Sequence, residues 1–459
     1  MYMPTFDQTL KKATDIIEKW NFSGKLQEVT IIRDVFGCLT FLIDSDNAVS
    51  QQETDQLKQT LQNQLGQYFK NNVYLKKAAN NDLVQTMIGE IERLRVEYEI
   101  TAGSNVKNGV KWYILERAIA KKAWIECRNT ENAVWPYEEA QKGKMPKVIT
   151  FYSFKGGMGR TTALAAVALA LAQQGKNVLA IDTDIEAPGL ASLFFDDGDI
   201  QEGTVDYLLE AAVSGKNPVN MMNMIHQVTD QTLMENISGN IFIIPAGAVD
   251  SRYLQKLARI DYQDAVPNNM KTLISRMTKD AVQTIGSVSS VDYILFDSRA
   301  GFHDMGGVVT AQIPHGVILF GKNSRQSWQG LELVLKTIGN SQKEIPSVAI
   351  VDSSCGNQGN VTEKEMDSFR EQAYTICCDN YYPAADQPGV KAENEVHSPI
   401  FIPYNYLLTD NVQLFTDGSQ EKYETVKRLK QILLGESYQK IRSRIQLWFD
   451  DEGGKQADE

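Results

Sequence analysis

The string Ser153-Phe154-Lys155-Gly156-Gly157-Met158-Gly159-Arg160-Thr161-Thr162 gathers glycines, two cations and hydroxyl side chains into one short stretch. Glycines let backbone N–H groups crowd around an anion, and a helix starting just beyond adds the positive end of its dipole. An apolar, β-branched run, Val148-Ile149-Thr150-Phe151-Tyr152, precedes the string, and Thr161 to Gln173, almost wholly Ala, Leu and Val, follows it. Strand, glycine turn and helix in that order make a phosphate-binding loop. Two further apolar runs end in carboxylates, Val178 to Asp182-Thr183-Asp184 and Tyr293 to Asp297. Carboxylates at strand ends suit the holding of a magnesium ion and the orientation of a water molecule.

These residues need a frame. Short apolar runs recur at 147–153, 178–182, 241–245, 292–297, 316–320, 347–351 and 399–403, with helical stretches between most of them. Continuous apolar strands separated by helices indicate a parallel sheet covered on both faces. The expected fold is therefore α/β, a doubly wound, mainly parallel sheet, preceded by a small α+β domain. The expected domains are 1–145, 146–437, and a C-terminal helix and acidic tail over 438–459. The stretch Glu138 to Lys147 reads as a linker. In the first block, Glu28 to Asp44 reads as two strands around a turn at Gly37. Gln51 to Phe69, Asp82 to Tyr98 and Trp112 to Trp124 read as helices, and nothing there looks catalytic.

The loop resembles that of the ParA/MinD group of P-loop ATPases, KGGxGKTT, and the continuation Glu186-Ala187-Pro188-Gly189-Leu190 resembles a KGG-x-GR branch of that group. The resemblance covers roughly residues 146–435. It implies that Gly156, Gly157, Met158, Gly159, Arg160, Thr161 and Thr162 cradle the phosphates of ATP. Lys155 matches the signature lysine, which reaches across a homodimer to the other subunit's nucleotide. Arg160 stands where the group has the lysine on the β- and γ-phosphates; it keeps the charge but is wider and forked. Thr161 matches the hydroxyl that ligates Mg²⁺. Asp182 is expected near the magnesium shell, and Asp184 is expected to position the attacking water. Asp297 ends the Walker B pattern and is expected to hold Mg²⁺ directly or through water. Arg299, Gly301 and Asp304 fall where the group senses the γ-phosphate, although Arg299 reads equally well as a salt-bridged structural arginine. The related GTPases read guanine with Asn/Thr-Lys-x-Asp; Gly321-Lys322-Asn323-Ser324 lacks the Asp, which favours adenine.

Other chemistries find less support. The histidines at 226, 303, 315 and 397 form no HxxxH or HExxH pair, and no Gly-x-Ser-x-Gly elbow is present. Cys38, Cys127, Cys355, Cys377 and Cys378 show no zinc-ligand spacing and read as free thiols in a reducing cytoplasm. The net charge of −12 disfavours bulk binding to nucleic acid. No apolar run reaches the roughly 18 residues of a transmembrane helix. Tyr438 to Phe449 is amphipathic and basic on one side, but Asp450-Asp451-Glu452 follows, so packing on the protein is expected rather than membrane-surface binding. The tail from Asp450 to Glu459 is expected to be disordered. The functional expectation is an ATP-hydrolysing dimerisation switch acting on a protein partner through residues 1–145. By family context it belongs with bacterial multi-protein signalling or antiviral defence systems. The alternatives are a nucleotide-bound scaffold with little turnover and a DNA-partition ATPase.

Overall fold

The computed structural model describes residues 3–20, 25–47, 49–78, 82–101, 103–118, 120–125, 134–214, 220–260, 270–339, 345–355, 362–409 and 412–450. Cys127 and the acidic residues after Asp450 lie outside them. The chain divides into two compact units, Met1–Ile119 and Ala120–Glu459.

The first unit contains α1 (Phe6–Lys19), β1 (Leu26–Arg33), β2 (Leu39–Ser45), α2 (Gln51–Leu65), β3 (Phe69–Leu75), α3 (Asp82–Leu94), β4 (Val96–Glu97), β5 (Val106–Lys107) and β6 (Val110–Glu116). The strands order β3-β2-β1-β6-β4, with β5 also on β6. Pairing is mixed: β1–β6 and β2–β3 are parallel, β1–β2 antiparallel. The β1–β2 hairpin turns at Gly37, as expected, with φ +84°. The row Leu57, Leu61, Leu65 and Phe69 is buried. The α2 helix nevertheless stops at Leu65 because Gly66 takes φ +59°, and Phe69 opens a strand.

The helix expected over Trp112 to Trp124 is corrected. Its first part is strand β6, running parallel to β1 with Val29 opposite Trp112 and Ile31 opposite Ile114. Trp112 and Ile114 join the core under α1 and α2, whereas Leu115 packs with Ile88 and Ile91 of α3. Residues facing opposite sides at a period of two form a strand, and aromatic and β-branched side chains fit its pleat. Among the described residues of that stretch only Lys122–Ile125 is helical. The helix from Asp82 likewise ends at Leu94, before β4.

In the second unit the elements follow as α4 (Lys122–Ile125), α5 (Tyr137–Gln141), β7 (Lys147–Ser153), α6 (Arg160–Gln173), β8 (Val178–Asp182), α7 (Leu190–Phe194) and α8 (Thr204–Ser214). Next come α9 (Met221–Met224), β9 (His226–Gln227), β10 (Ile241–Ile244), α10 (Tyr253–Leu257), α11 (Met270–Ile285), β11 (Tyr293–Asp297), α12 (Asp304–Gly307) and β12 (Gly316–Gly321). The last are α13 (Arg325–Gly339), β13 (Ser347–Cys355), α14 (Glu363–Asn380), β14 (Ile400–Pro403), α15 (Gln420–Leu433) and α16 (Glu436–Leu447). The sheet order is β14-β13-β12-β7-β11-β8-β10-β9, parallel throughout except for β9.

Both faces are covered, which is why the strands read as unbroken apolar runs. Ile149, Phe151, Leu295 and Ile318 face α6 and α15, whereas Val148, Ile294 and Phe296 face the α8 and α11 side. The α6 helix is apolar all round because it is sandwiched between the sheet and α15 and α16. Tyr438, Ile441 and Ile445 of α16 are buried in that same core. The stretch read as a linker is instead packed. Ala140 is fully buried, and Tyr137 stacks on Phe449 at 5.4 Å and donates a hydrogen bond to the Trp448 carbonyl.

One close approach positions the phosphate loop. A Cβ at Gly330 of α13 would lie 2.1 Å from the Phe154 ring. Phe154 packs on Phe302, Phe302 on Trp124, and Trp124 on Tyr152 of β7. Replacing Gly330 with Ala should cost ~1–3 kcal/mol of overpacking. In a Phe154→Gly background, which also removes the Phe154 Cβ that would lie 2.5 Å away, the same change should cost little. Urea unfolding of both pairs checks this; equal costs in the two backgrounds would show that the contact is unimportant.

Candidate functional site

The register of three central strands builds the site. Asp297 at the end of β11 sits opposite Asp182 on β8 and opposite Phe151 on β7. The loop after β7 therefore faces both carboxylates. Gly157 and Gly159 take φ +68° and +71°, conformations that only glycine adopts without strain. Gly159 is the N-cap of α6, so Arg160 and Thr161 open that helix.

Each carboxylate is satisfied differently. Asp182 is fully buried, and its oxygens accept from the backbone N–H groups of Asp184 (3.0 Å), Gly189 (3.2 Å) and Leu190 (3.1 Å). It thereby organises the loop that follows β8. Asp184 pairs with Arg160 at 3.2 Å, both side chains being 9% exposed, and accepts from Ala187 N–H. Asp297 accepts from the Thr161 hydroxyl at 2.6 Å through Oδ2, while its Oδ1 is buried with no hydrogen-bond partner. Burial pushes the carboxyls of Asp182 and Asp297 up; the Asp297 charge adds to the rise at Asp182, whereas Arg160 and the Thr161 hydroxyl oppose it at Asp297. Arg160 Nη1 is likewise buried and unpartnered.

An open carboxylate oxygen beside a threonine hydroxyl is the start of an oxygen-ligand set for a hard divalent cation. Among the described residues no group of three or more His, Cys, Asp or Glu side chains could hold a metal by itself. That suits Mg²⁺, which uses one or two carboxylates and completes its shell with water and phosphate oxygens. The unpartnered Arg160 nitrogen and the glycine-lined N-terminus of α6 suit phosphate. Lys155 is half-buried, with no ion-pair partner among the described residues. A cleft beside the loop is lined by Met158, Gly159, Thr162, Ser353, Pro403 and Tyr404.

The three switch candidates separate. Arg299 is salt-bridged to Glu186 at 2.6 Å. Gly301, at φ +75°, donates its N–H to the Ser153 carbonyl beneath the loop. Asp304 is held by the Lys121 ammonium at 2.8 Å and by the Lys121 N–H. Sequence reasoning assigned no role to Glu186, which also meets His303 Nε2 at 2.6 Å. It thus ties the segment after β8 to the segment after β11. Phe154 was missed too. Its packing is tertiary, and its only local signal was an aromatic residue inside a glycine loop.

A glycine-rich loop between a central parallel strand and a buried helix, facing a carboxylate on the neighbouring strand, defines a P-loop nucleotide-binding domain. Residues 146–350 match the family model described as an AAA domain. A stretch of 47 residues is 55% identical to an uncharacterized ATP-binding protein of Methanocaldococcus jannaschii, covering 10% of this chain and 18% of that protein. Septum site-determining protein MinD of Thermotoga maritima is 28% identical over 157 residues, 34% of this chain and 45% of that one. The chain spans less than half the length of the curated relatives it matches. Among solved structures, pNOB8 ParA is 15% identical with a TM-score of 0.45, covering 66% of this chain and 98% of that one. The MinD cell division protein of Aquifex aeolicus is 18% identical with a TM-score of 0.38, covering 65% and 97%. Residues 146–350 thus form a P-loop nucleotide-binding domain that is similar in sequence to MinD.

Beside the cleft, Asp352 is buried, and its carboxyl is pushed up to about 7 because burial outweighs the attraction of Lys322. The unfolded chain loses this proton near 3.8 and the folded chain near 7, so stability falls as pH rises through that window. An Asp352→Asn variant removes the effect. Its stability relative to the parent should rise by ~2–3 kcal/mol between about pH 5 and about pH 8. Denaturant unfolding at both values measures it, and a difference independent of pH would contradict the assignment.

Proposed function

We propose that the chain binds ATP with Mg²⁺, hydrolyses it, and uses the cycle to make and dissolve a homodimer that controls a protein partner. The observation that carries this reading is the convergence of Arg160, Thr161 and Asp297 on one buried point, with one donor and one acceptor atom left over. In this reading Thr161 and Asp297 hold the Mg²⁺, and Asp182 stands behind them, fixing the loop. Bound Mg²⁺ supplies positive charge against the β- and γ-phosphate oxygens. Gly156 to Thr162 cradle the phosphates, and the cleft of Ser353, Pro403 and Tyr404 receives the adenine. Lys155 reaches the partner subunit's nucleotide, and Asp184 orients the attacking water. Arg299, Gly301 and Asp304 belong to the segment that responds to the γ-phosphate, with Glu186 holding Arg299 and His303.

Residues 1–145 are the proposed partner-binding region, and bacterial signalling or defence assemblies are the proposed setting. A DNA-partition role is less favoured, because the net charge of −12 opposes association with DNA. In the described residues no helix is long and apolar enough to cross a membrane.

The Arg160–Asp184 ion pair supports a second reading. A carboxylate neutralised by arginine is a poor partner for water, which favours a nucleotide-bound scaffold with little turnover. Phosphate release separates the two readings. For a hydrolysing switch, turnover should fall about a hundredfold or more in Asp184→Ala. Sedimentation with ATP should show dimers that Lys155→Ala cannot form. ATP binding without phosphate release from the wild type would establish the scaffold instead, and sedimentation indifferent to ATP would remove the dimer switch.

A further inference from the structure

A second cavity, of about 760 Å³, lies at the other end of β14 from the phosphate-loop cleft. The cleft takes Ile402 and Pro403 at the end of that strand and Tyr404 just beyond it, whereas the cavity takes Ile400 and Phe401 at its start and Pro399 just before it. Its volume falls in the ~300–1,000 Å³ range of small-molecule sites. In a chain of net charge −12, its lining carries Arg370, Lys391, Lys440 and Arg444 against Asp367 and Glu393.

The cations are held in different ways. Arg444 is buried, 7% exposed, and donates to the Glu395 carbonyl at 3.0 Å and the Ser398 carbonyl at 3.4 Å. No carboxylate is paired with it among the described residues, and burial holds its guanidinium below the ordinary value. Arg370 lies over the Phe401 ring at 5.3 Å and pairs with Asp367 at 2.9 Å. Lys440 pairs with Glu436 on its own helix at 2.9 Å, an exposed pair of little strength. Lys391 is exposed, with no ion-pair partner among the described residues. A buried guanidinium held by backbone carbonyls, with the Glu395 charge only partly offsetting its burial, two loosely held ammonium groups and an aromatic wall match an anion that also carries a ring.

We propose that this cavity binds a small organic phosphate of nucleotide size, distinct from any nucleotide on the phosphate loop. The α16 helix joins the two places. Tyr438 near its start lines the cleft, Lys440 and Arg444 line the cavity, and Ile441 and Ile445 of the same helix pack in one core with the α6 helix that opens at Arg160. An occupant gripping Arg444 therefore bears on the same rigid helix that borders the phosphate loop.

Calorimetric titration tests this on the full chain saturated with Mg²⁺ and a non-hydrolysable ATP analogue, using adenosine monophosphate and inorganic pyrophosphate as probes. Adenosine monophosphate should bind saturably and more tightly than pyrophosphate. The Lys391→Gln/Lys440→Gln variant, altered only at exposed side chains, should bind it about tenfold more weakly while keeping its affinity for the ATP analogue. Absence of monophosphate binding, binding undiminished in the variant, or pyrophosphate bound as tightly as the monophosphate would each overturn the proposal. Because the variant leaves the phosphate loop untouched, the result stands apart from the ATPase reading.

Discussion

Two carboxylates share the end of one strand pair, and the rest of the second unit is arranged around that fact. Parallel pairing of β8 with β11 places Asp182 directly beside Asp297, and both are buried. Bringing two charges out of water costs several kcal/mol per ion, and like charges side by side add to it. The surroundings meet this cost unequally. Asp182 is covered by three backbone N–H groups, Asp184 by Arg160, and Asp297 by one hydroxyl and nothing more. The deficit is local and specific. One oxygen of Asp297 faces no donor, next to a threonine that opens a helix. A cation at that point would complete what the protein leaves incomplete.

The frame keeps this arrangement rigid. β7 is hydrogen-bonded on both sides, to β11 and β12, so the loop leaves from an interior strand. The α6 helix cannot shift without disturbing the sheet below it or α15 and α16 above it. The aromatic series from Phe154 through Phe302 to Trp124 joins the loop to the segment after β11, and Trp124 also donates its indole N–H to the His303 carbonyl. Glu186 joins that segment to the loop after β8. Loop, strand-end carboxylates and the segment after β11 are thus mutually braced by side-chain contacts between them.

Much of this was legible before the structure. Strands of a doubly covered sheet are apolar on both faces, so β7, β8, β11 and β12 stood out as short runs ending in Ser153, Asp182, Asp297 and Phe320. The glycine loop is local in sequence and was equally plain. The first unit was harder to read. Trp112 to Leu115 is buried by strands far away in sequence, and a run of large side chains without clear alternation fits a helix as well as a strand. The α1 helix was missed altogether, and Glu138 to Lys147 was taken for a linker because its polar residues hide the buried Ala140. At the site, the partners of Glu186, Asp304 and Arg160 could not be read because each ion pair joins segments separated in the chain.

The most direct test is thermal unfolding of the wild type and Asp297→Asn, with and without ATP and Mg²⁺. If Asp297 is the under-satisfied carboxylate that a cation completes, the variant should be as stable as the wild type or more so without ligand, since a buried charge is gone. It should also lose the stabilisation that ATP confers only when Mg²⁺ is present. A variant that is destabilised without ligand, or that keeps its Mg²⁺-dependent gain with ATP, would contradict the central role given to that carboxylate.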